Sequence, residues 1–207
     1  MEVMDTDLPT PGDVGLALGV ARSTELCGFR LHAAEAPLTH GMTAARRRDF
    51  LLGRLAARRA LETLGVPEAP ILISDGRPRF PAPVAGSISH SEGVGVAVVG
   101  FAEAVGVDIE LRRLSVRAAR GVCTADELAW AGDCSERATL LFSAKESAYK
   151  VLPTSLQGAL RWSDIAITPR GKAGFTAFVA STVIDGWWRT GPAILSWAMT
   201  RAARAVG

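Results

Sequence analysis

The nine residues FSAKESAYK, at positions 142–150, form the most informative local pattern in this chain of 207 residues. Upstream, Ser135 can cap a helix, and downstream Pro153 cannot continue one, so the stretch is predicted to be helical. We expect this helix to face a strand from the other half of the chain.

Two of the three lysines in the chain, Lys145 and Lys150, lie in this stretch beside Glu146, whereas nearly all other basic residues are arginines. This usage indicates a requirement for a compact ammonium group. Glu146 and Lys150 are one helical turn apart on the same face, about 6 Å along the axis. Taken alone, the pattern is more typical of a solvated ion pair on a surface helix.

The composition indicates a globular protein with 48% hydrophobic and 21% charged residues, enough for one good core or two small ones. The net charge of +2 is too small for bulk nucleic-acid binding.

Three cysteines without a CxxC pair favour a reducing compartment. No basic residue precedes Arg22, and the longest apolar run, 93–102, is too short to cross a bilayer. We expect a cytoplasmic monomer that binds neither membrane nor nucleic acid.

The first half of the chain is predicted to contain one long helix and three strands. Apolar periodicity indicates a helix at 43–64, ended by Gly65. Tight turns separate three short runs that are predicted to form an antiparallel meander. These strands are 84–91, 94–99 and 105–110.

The second half repeats this plan, with a capping box formed by Thr124 and Glu127 before the 142–150 helix. Its predicted strands are 165–168, 175–179 and 193–199. Two further strand candidates, 16–20 and 27–31, have no assigned role. The predicted class is α+β, with two similar sub-domains, 1–111 and 112–207. Each has a small, mostly antiparallel three-stranded sheet packed with helices, and the two are related by a pseudo-twofold axis.

The strand VGVDIE, 105–110, places Asp108 and Glu110 on one face, about 6.7 Å apart. Two carboxylates at this spacing repel each other unless a positive charge lies between them, and a divalent cation is a common solution. Ligands that are all oxygen atoms favour Mg²⁺, or Mn²⁺, over zinc. Taken alone, the pattern fits an ordinary polar strand face better.

A Mg²⁺ site built from few carboxylates usually takes further ligands from phosphate oxygens, which require basic groups nearby. The first predicted helix is rich in arginine, although a solvated basic face explains at least half of these residues. Arg77 flanks a proline turn, and Ser89 and His90 precede a Glu-Gly turn, where a phosphate could bind. The chain has no GxxxxGK[ST], GxGxxG, GxSxG or HExxH motif, so serine-nucleophile and zinc catalysis are unsupported.

Five segments, in this order and spacing, resemble the 4′-phosphopantetheinyl transferase superfamily, in particular its larger single-chain branch of enterobactin-synthase component D-like enzymes. The region that runs from the first of these segments to the last, 50–150, is roughly half of the chain. The segments are FLLGRLAARRAL (50–61), DGRPRFP (75–81), GSISHS (86–91), VGVDIE (105–110) and FSAKESAYK (142–150).

The resemblance implies transfer of the phosphopantetheine arm of coenzyme A to a serine of an apo acyl or peptidyl carrier protein, with release of adenosine 3′,5′-bisphosphate. It implies that Asp108, Glu110 and Glu146 bind the metal, and that Glu146 is a candidate general base. Lys150 matches the lysine that protonates or neutralises the leaving phosphate. The active site is expected in the cleft between the two halves.

The resemblance also implies a set of residues that bind coenzyme A. Lys145 matches a phosphate-binding lysine, and Ser89 with His90 matches the pair that grips the 3′-phosphate. Lys150 and Asp108 are expected to contact coenzyme A as well. The basic residues similar in placement to those of the family are Arg46, Arg54 and Arg77. Arg77 departs from the GKP of many members, and Ile73 stands where some relatives have a lysine.

Two other functions remain open from the residues. The same carboxylates would serve a different Mg²⁺-dependent phosphoester enzyme, such as a nucleotide hydrolase. The basic residues would also serve a non-catalytic subunit that binds coenzyme A or a nucleotide.

Overall fold

The structure is a computed structural model that describes residues 10–200, so the ends of the two predicted sub-domains, 1–9 and 201–207, lie outside it. Its α-helices are α1 (Ala44–Thr63), α2 (Val116–Ala119), α3 (Ala125–Ala131), α4 (Ser135–Val151) and α5 (Thr154–Gln157). Short 3₁₀ helices lie at Pro11–Val14, Ser23–Glu25, Ala36–Thr39 and Trp162–Asp164.

The strands of the described region form one large sheet, one smaller sheet and one hairpin. They are β1 (Leu16–Arg22), β2 (Leu72–Ser74), β3 (Arg77–Arg79), β4 (Ala85–Ser91), β5 (Val94–Gly100), β6 (Val105–Glu110), β7 (Ala166–Arg170), β8 (Gly174–Val179), β9 (Thr182–Arg189) and β10 (Ile194–Thr200).

The chain divides between Val105 and Gly106 into two compact units. We call Pro11–Val105 the N-terminal unit and residues 106–200 the C-terminal unit. The predicted boundary at 111/112 lies six residues later than this division. Within residues 10–200, no helix combines the length and the hydropathy that a membrane span requires.

The N-terminal unit packs α1 on an antiparallel sheet of strand order β1-β5-β4. Thr43 caps the helix by accepting from the Arg46 N–H, and Gly65 follows its end with a φ of 73°, in agreement with the predicted stop signal. A Cβ atom on Gly19 of β1 would overlap the Ala56 carbonyl oxygen of α1, so this glycine allows the helix to lie directly on the strand.

The C-terminal unit packs α4 on a five-stranded sheet of order β6-β10-β9-β8-β7. The predicted capping box is present in α3, where Thr124 and Glu127 each accept the backbone N–H of the other. Helix α4 has the predicted extent, but Cys134 is its N-cap and Ser135 is its first residue.

The α+β class with two sheet-containing halves is confirmed, whereas the predicted meander is wrong in one strand. Strand β6 does not join β4 and β5, because it pairs with β10 from the distant end of the chain. Strand β1, predicted without a role, takes the place beside β5. Alternation identifies which face of a strand is buried but not which neighbour it pairs with, and this explains the error.

The C-terminal sheet also exceeds the predicted three strands. It gains β6 and also β9, Thr182–Arg189, which the sequence analysis missed. Strand β9 carries a mixed run, TVIDGWWR, with Asp185 and Gly186 in its middle, so its strand pattern is weak. The candidate at 27–31 is irregular.

The two units repeat one set of internal contacts. Gly106 of β6 lies under the Ser147 carbonyl oxygen of α4, just as Gly19 of β1 lies under the Ala56 carbonyl oxygen of α1. Ser147 and Ala56 are each the thirteenth residue of their helix. Three residues further along, a cation donates to the strand carbonyl that follows the glycine. These bonds are Arg59 Nη1 to Val20 O at 2.6 Å and Lys150 Nζ to Val107 O at 2.9 Å.

A buried glutamate completes the repeat in each unit. Glu35 accepts the backbone N–H of His32 and of Ile71 and lies 3.5 Å from Arg54 Nε. Glu127 accepts the N–H of Thr124 and of Ile167 and lies 2.9 Å from Lys145 Nζ. Arg54 and Lys145 are both the eleventh residue of their helices. The predicted similarity of the halves therefore extends to individual side-chain contacts, although their sequences show no evident repeat.

Candidate active site

Strand β6 carries Asp108 and Glu110, the two carboxylates that the sequence analysis singled out. Asp108 is buried, with 4% of its surface exposed, and Glu110 at the end of the strand is half-buried. Both faces of β6 are covered, because Val105, Val107 and Ile109 are buried as well. A carboxylate in this position loses most of its hydration and needs a positive partner.

Helix α4 supplies that partner through Lys150. Its Nζ lies 3.1 Å from Asp108 Oδ1 and donates to the Val107 carbonyl oxygen. Gly106 makes this contact possible, since α4 lies directly on β6 at that position. Glu146 lies one turn earlier on the same helix and makes no hydrogen bond or ion pair within residues 10–200.

The pKa shifts show that three carboxylates act on one another here. Burial, followed by the charges of Asp108 and Glu146, raises the pKa of Glu110 to about 7, and Lys150 opposes this shift. Burial also raises the pKa of Glu146, with Asp108 adding to the effect and Lys150 reducing it. One ammonium therefore compensates only part of the negative charge of three carboxylates.

This donor set fits a hard divalent cation by charge and by chemistry, because all three side chains offer oxygen atoms. Within residues 10–200, no three His, Cys, Asp or Glu side chains are already gathered at metal-binding distances. The Lys150 ammonium, and not a third carboxylate, lies against Asp108. Side-chain rotation would have to complete the coordination.

Lys145 lies apart from this group, although it is adjacent to Glu146 in sequence. Its side chain is fully buried, and its ammonium contacts Glu127 and the carbonyl oxygens of Trp162 and Ile165. These three oxygens satisfy the three donors of the ammonium. The structure therefore gives no support to the predicted phosphate contact of Lys145.

The N-terminal unit contains a separate pocket of about 660 Å³. One face of α1 forms its first wall, and β4 with the β2–β3 hairpin forms the rest. Three of the predicted binding residues, Arg46, Arg54 and His90, line it. The other lining residues are Met42, Thr43, Ala45, Asp49, Phe50, Gly53, Ile73, Gly76, Pro78 and Ile88.

The predicted binding residues differ in their exposure to this pocket. Arg54 is buried beside Glu35 and lies over the Phe50 ring at 4.3 Å, and burial lowers its pKa. His90 has 53% of its side chain exposed. Ser89 is buried, and strand alternation directs it to the opposite side of β4 from His90. Arg77 is half-buried at the start of β3, next to two lining residues.

Sequence reasoning missed the tertiary contacts of Glu35, Glu127 and Asp49. The first two are buried acceptors that hold the long helices, and Asp49 lies on the pocket face of α1 beside His90. The capping box identified Glu127 as a cap, but nothing in the sequence signals its pairing with Lys145. For Asp49, the helical spacing from Arg46 and Gly53 is a usable signal, because these positions share one face.

Comparisons with known proteins agree with this arrangement. Residues 34–100 match the family model of the 4′-phosphopantetheinyl transferase N-terminal domain, and residues 104–202 match that of the 4′-phosphopantetheinyl transferase superfamily. The junction between the two matches falls close to the boundary between the two units.

Several curated proteins are similar over much of the chain. The 4′-phosphopantetheinyl transferase PptT of Mycobacterium tuberculosis is 37% identical over 76% of this chain and 74% of its own length. The 4′-phosphopantetheinyl transferase Svp of Streptomyces mobaraensis is 32% identical over 76% of this chain and 73% of its own. Enterobactin synthase component D of Escherichia coli is 40% identical over 51% of this chain and 54% of its own.

The chain is thus an α+β protein with a carboxylate–lysine site in one unit and a cationic pocket in the other. It belongs to the 4′-phosphopantetheinyl transferase superfamily and is an enzyme of that class. The two other functions that the residues left open are not favoured by these comparisons.

Proposed function

We propose that this enzyme moves the phosphopantetheine arm of coenzyme A onto a serine of an apo acyl or peptidyl carrier protein and releases adenosine 3′,5′-bisphosphate. The observation that carries the proposal is the grouping of Asp108, Glu110 and Glu146 around the Lys150 ammonium. Membership of the family supports the same reaction.

In this proposal the pocket of the N-terminal unit holds the nucleotide end of coenzyme A. Arg46 and His90 provide positive or hydrogen-bonding groups for phosphate, while Phe50, Ile73 and Ile88 provide apolar surface. Arg54 is an unexposed part of the wall, so we assign it to shaping the pocket with Glu35. Arg77 remains a candidate for a phosphate contact, whereas the buried Ser89 side chain is directed away from the pocket side of β4.

Asp108, Glu110 and Glu146 would hold Mg²⁺ or Mn²⁺, which neutralises charge on the pyrophosphate of coenzyme A when bound. The serine oxygen attacks the phosphorus that carries the pantetheine arm. The bond between this phosphorus and the bridging oxygen breaks, and that oxygen leaves with adenosine 3′,5′-bisphosphate. Negative charge gathers on the bridging oxygen, so the Lys150 ammonium stabilises or protonates it.

Glu146 is the proposed base for the serine proton. No hydrogen bond or ion pair within residues 10–200 occupies its carboxylate, so an oxygen of this group can accept the serine proton. Whether it takes the proton directly or through a water, a carboxylate at this position is required.

The decisive experiment mixes the protein with coenzyme A, Mg²⁺ and a panel of apo carrier proteins and measures the phosphopantetheine mass gain by mass spectrometry. The wild type should load at least one carrier. Glu146→Gln should bind coenzyme A measurably but fail to load, and full loading by this variant would exclude both roles of Glu146. Asp108→Ala should lose metal-dependent activity, whereas wild-type loading that survives a chelator would contradict the metal site.

The cellular setting is a further part of the proposal. Cys27, Cys123 and Cys134 are all free thiols, in agreement with a reducing, cytoplasmic compartment. We propose a monomer as the active form. The enterobactin synthase names among the relatives make siderophore or other secondary-metabolite carriers the first to test.

A further inference from the structure

One pocket residue has a charge that is opposite to what an anion site requires. Asp49 is the single carboxylate among the lining residues that the structure describes, and it lies on α1 between Arg46 and Gly53. A carboxylate that faces a bound phosphate weakens binding by like-charge repulsion. Such a carboxylate weakens phosphate binding less if another side chain of the pocket pairs with it.

Asp49 has two such neighbours. Its Oδ2 lies 3.8 Å from His90 Nδ1, and its Oδ1 lies 3.6 Å from Arg48 Nε. His90 lines the pocket, whereas Arg48 does not belong to the lining. The His90 contact joins α1 to the end of β4, next to the turn at Glu92 and Gly93.

His90 needs a partner of this kind if it is to bind a ligand well. More than half of its side chain is exposed, so its ring is held by few packing contacts, whereas Asp49 is only 26% exposed. A carboxylate on the Nδ1 side orients an imidazole ring and leaves Nε2 as the group for a ligand.

We propose that Asp49 is a positioning residue that holds His90 for the 3′-phosphate of coenzyme A and so determines the preference for coenzyme A over its 3′-dephospho form. This inference rests on the proposed function, because it takes the pocket to bind the nucleotide end of coenzyme A. Asp49 acts through His90 and does not itself contact the phosphate.

The test is a double-mutant cycle measured by calorimetric titration of adenosine 3′,5′-bisphosphate and of adenosine 5′-monophosphate, which lacks the 3′-phosphate. Asp49→Asn should weaken binding of the bisphosphate about three- to fivefold, as expected for a partly exposed ion pair, and leave the monophosphate unchanged. In a His90→Ala background the same substitution should have no further effect. Asp49→Glu should restore part of the loss.

Arg48→Gln is the matched control, because it removes the other neighbour of Asp49 and should leave both affinities at the wild-type level. In carrier loading, Asp49→Asn should raise the KM for coenzyme A by the same factor and leave kcat unchanged. Tighter or unchanged binding of the bisphosphate, an equal loss for both nucleotides, or an effect that persists without His90 would overturn the proposal.

The outcome also separates this inference from the proposed function. A wild type that loads carriers while Asp49→Asn behaves normally removes only the role of Asp49. A wild type that neither loads a carrier nor binds the bisphosphate removes the proposed function, and with it the role of Asp49.

Discussion

Lys150 donates a hydrogen bond to the carbonyl oxygen of Val107, its neighbour on strand β6, at 2.9 Å. In the N-terminal unit, Arg59 makes the same bond to Val20, at the same place relative to the helix and the glycine beneath it. That unit has no carboxylates at the positions of Asp108 and Glu110, where Ala21 and Ser23 stand. The bond from helix to strand is therefore part of the shared fold, and Lys150 has a structural role besides its proposed chemical one.

Replacing Lys150 by arginine should separate these two roles. Because Arg59 already makes the equivalent bond, Lys150→Arg should keep the free energy of unfolding within about 1 kcal/mol of the wild type. Its kcat for carrier loading should fall at least about tenfold, because a guanidinium does not donate a proton and is differently placed. Thermal unfolding and steady-state kinetics measure the two effects.

Lys150→Ala provides the comparison, and it should lose both stability and activity. If Lys150→Arg proves as unstable as Lys150→Ala, the parallel with Arg59 is not valid. If it retains full kcat, the requirement for an ammonium is wrong.

The buried pair of Lys145 and Glu127 leads to a second prediction. Lys145→Met leaves a buried carboxylate without its cation, so we expect a loss of about 3–5 kcal/mol in the free energy of unfolding by chemical denaturation. The double variant Lys145→Met/Glu127→Gln should lose less than the sum of its single changes, since no buried charge remains.

The same variants test the phosphate contact that the sequence predicts for Lys145. At a temperature where Lys145→Met stays folded, its KM for coenzyme A should equal that of the wild type. A raised KM with an unchanged melting temperature would instead support direct binding of phosphate.

Gly106 gives a prediction about packing. A methyl group on this residue would meet the backbone oxygen of Ser147, which no side-chain rotation can relieve, so α4 would have to move away from β6. Gly106→Ala should lower the free energy of unfolding by about 1–3 kcal/mol or more and reduce activity, because Lys150 and Glu146 move with the helix. Gly158→Ala is a suitable control, since nothing lies within 4 Å of its added Cβ and its φ is −66°. Equal melting temperatures for the two variants would contradict the close contact.

The raised pKa of Glu110 predicts a pH-dependent effect of Mg²⁺. In the metal-free protein, folding favours the protonated form, because the folded pKa of about 7 exceeds the ordinary value of 4.5. This contribution to the free energy of unfolding is fully present below pH 4.5 and is lost as the pH rises through 7. The loss is on the order of 1–2 kcal/mol after allowance for solvent screening.

Mg²⁺ binds the ionised carboxylates, so it should raise the melting temperature more at pH 8 than at pH 6. Thermal unfolding with Mg²⁺ or with EDTA at both pH values measures this difference. In Glu110→Gln the difference should shrink, because the titrating group is absent. An equal response to Mg²⁺ at pH 6 and pH 8 in the wild type would contradict the assignment of Glu110 to the metal site.

Much of the local structure follows from the sequence alone. Helix α1 begins after Thr43 and ends before Gly65, and α3 has the capping box of Thr124 and Glu127, because caps and stop signals act between residues close in the chain. The carboxylates Asp108 and Glu110 were found in the same way, from alternation along a single strand.

Tertiary structure decided which of these elements meet. Strand β6 pairs with β10, about ninety residues later, and the alternation of β6 alone fits either neighbour. Tertiary structure also decided the partners of Lys145 and Lys150, which are five residues apart in one helix. One is buried against Glu127 and the other lies beside Asp108, because five residues turn the helix by about 140° and direct the two side chains to different faces. The stretch FSAKESAYK by itself determines a helix with two ammonium groups, and the packing of that helix on Gly106 determines which ammonium reaches the carboxylates.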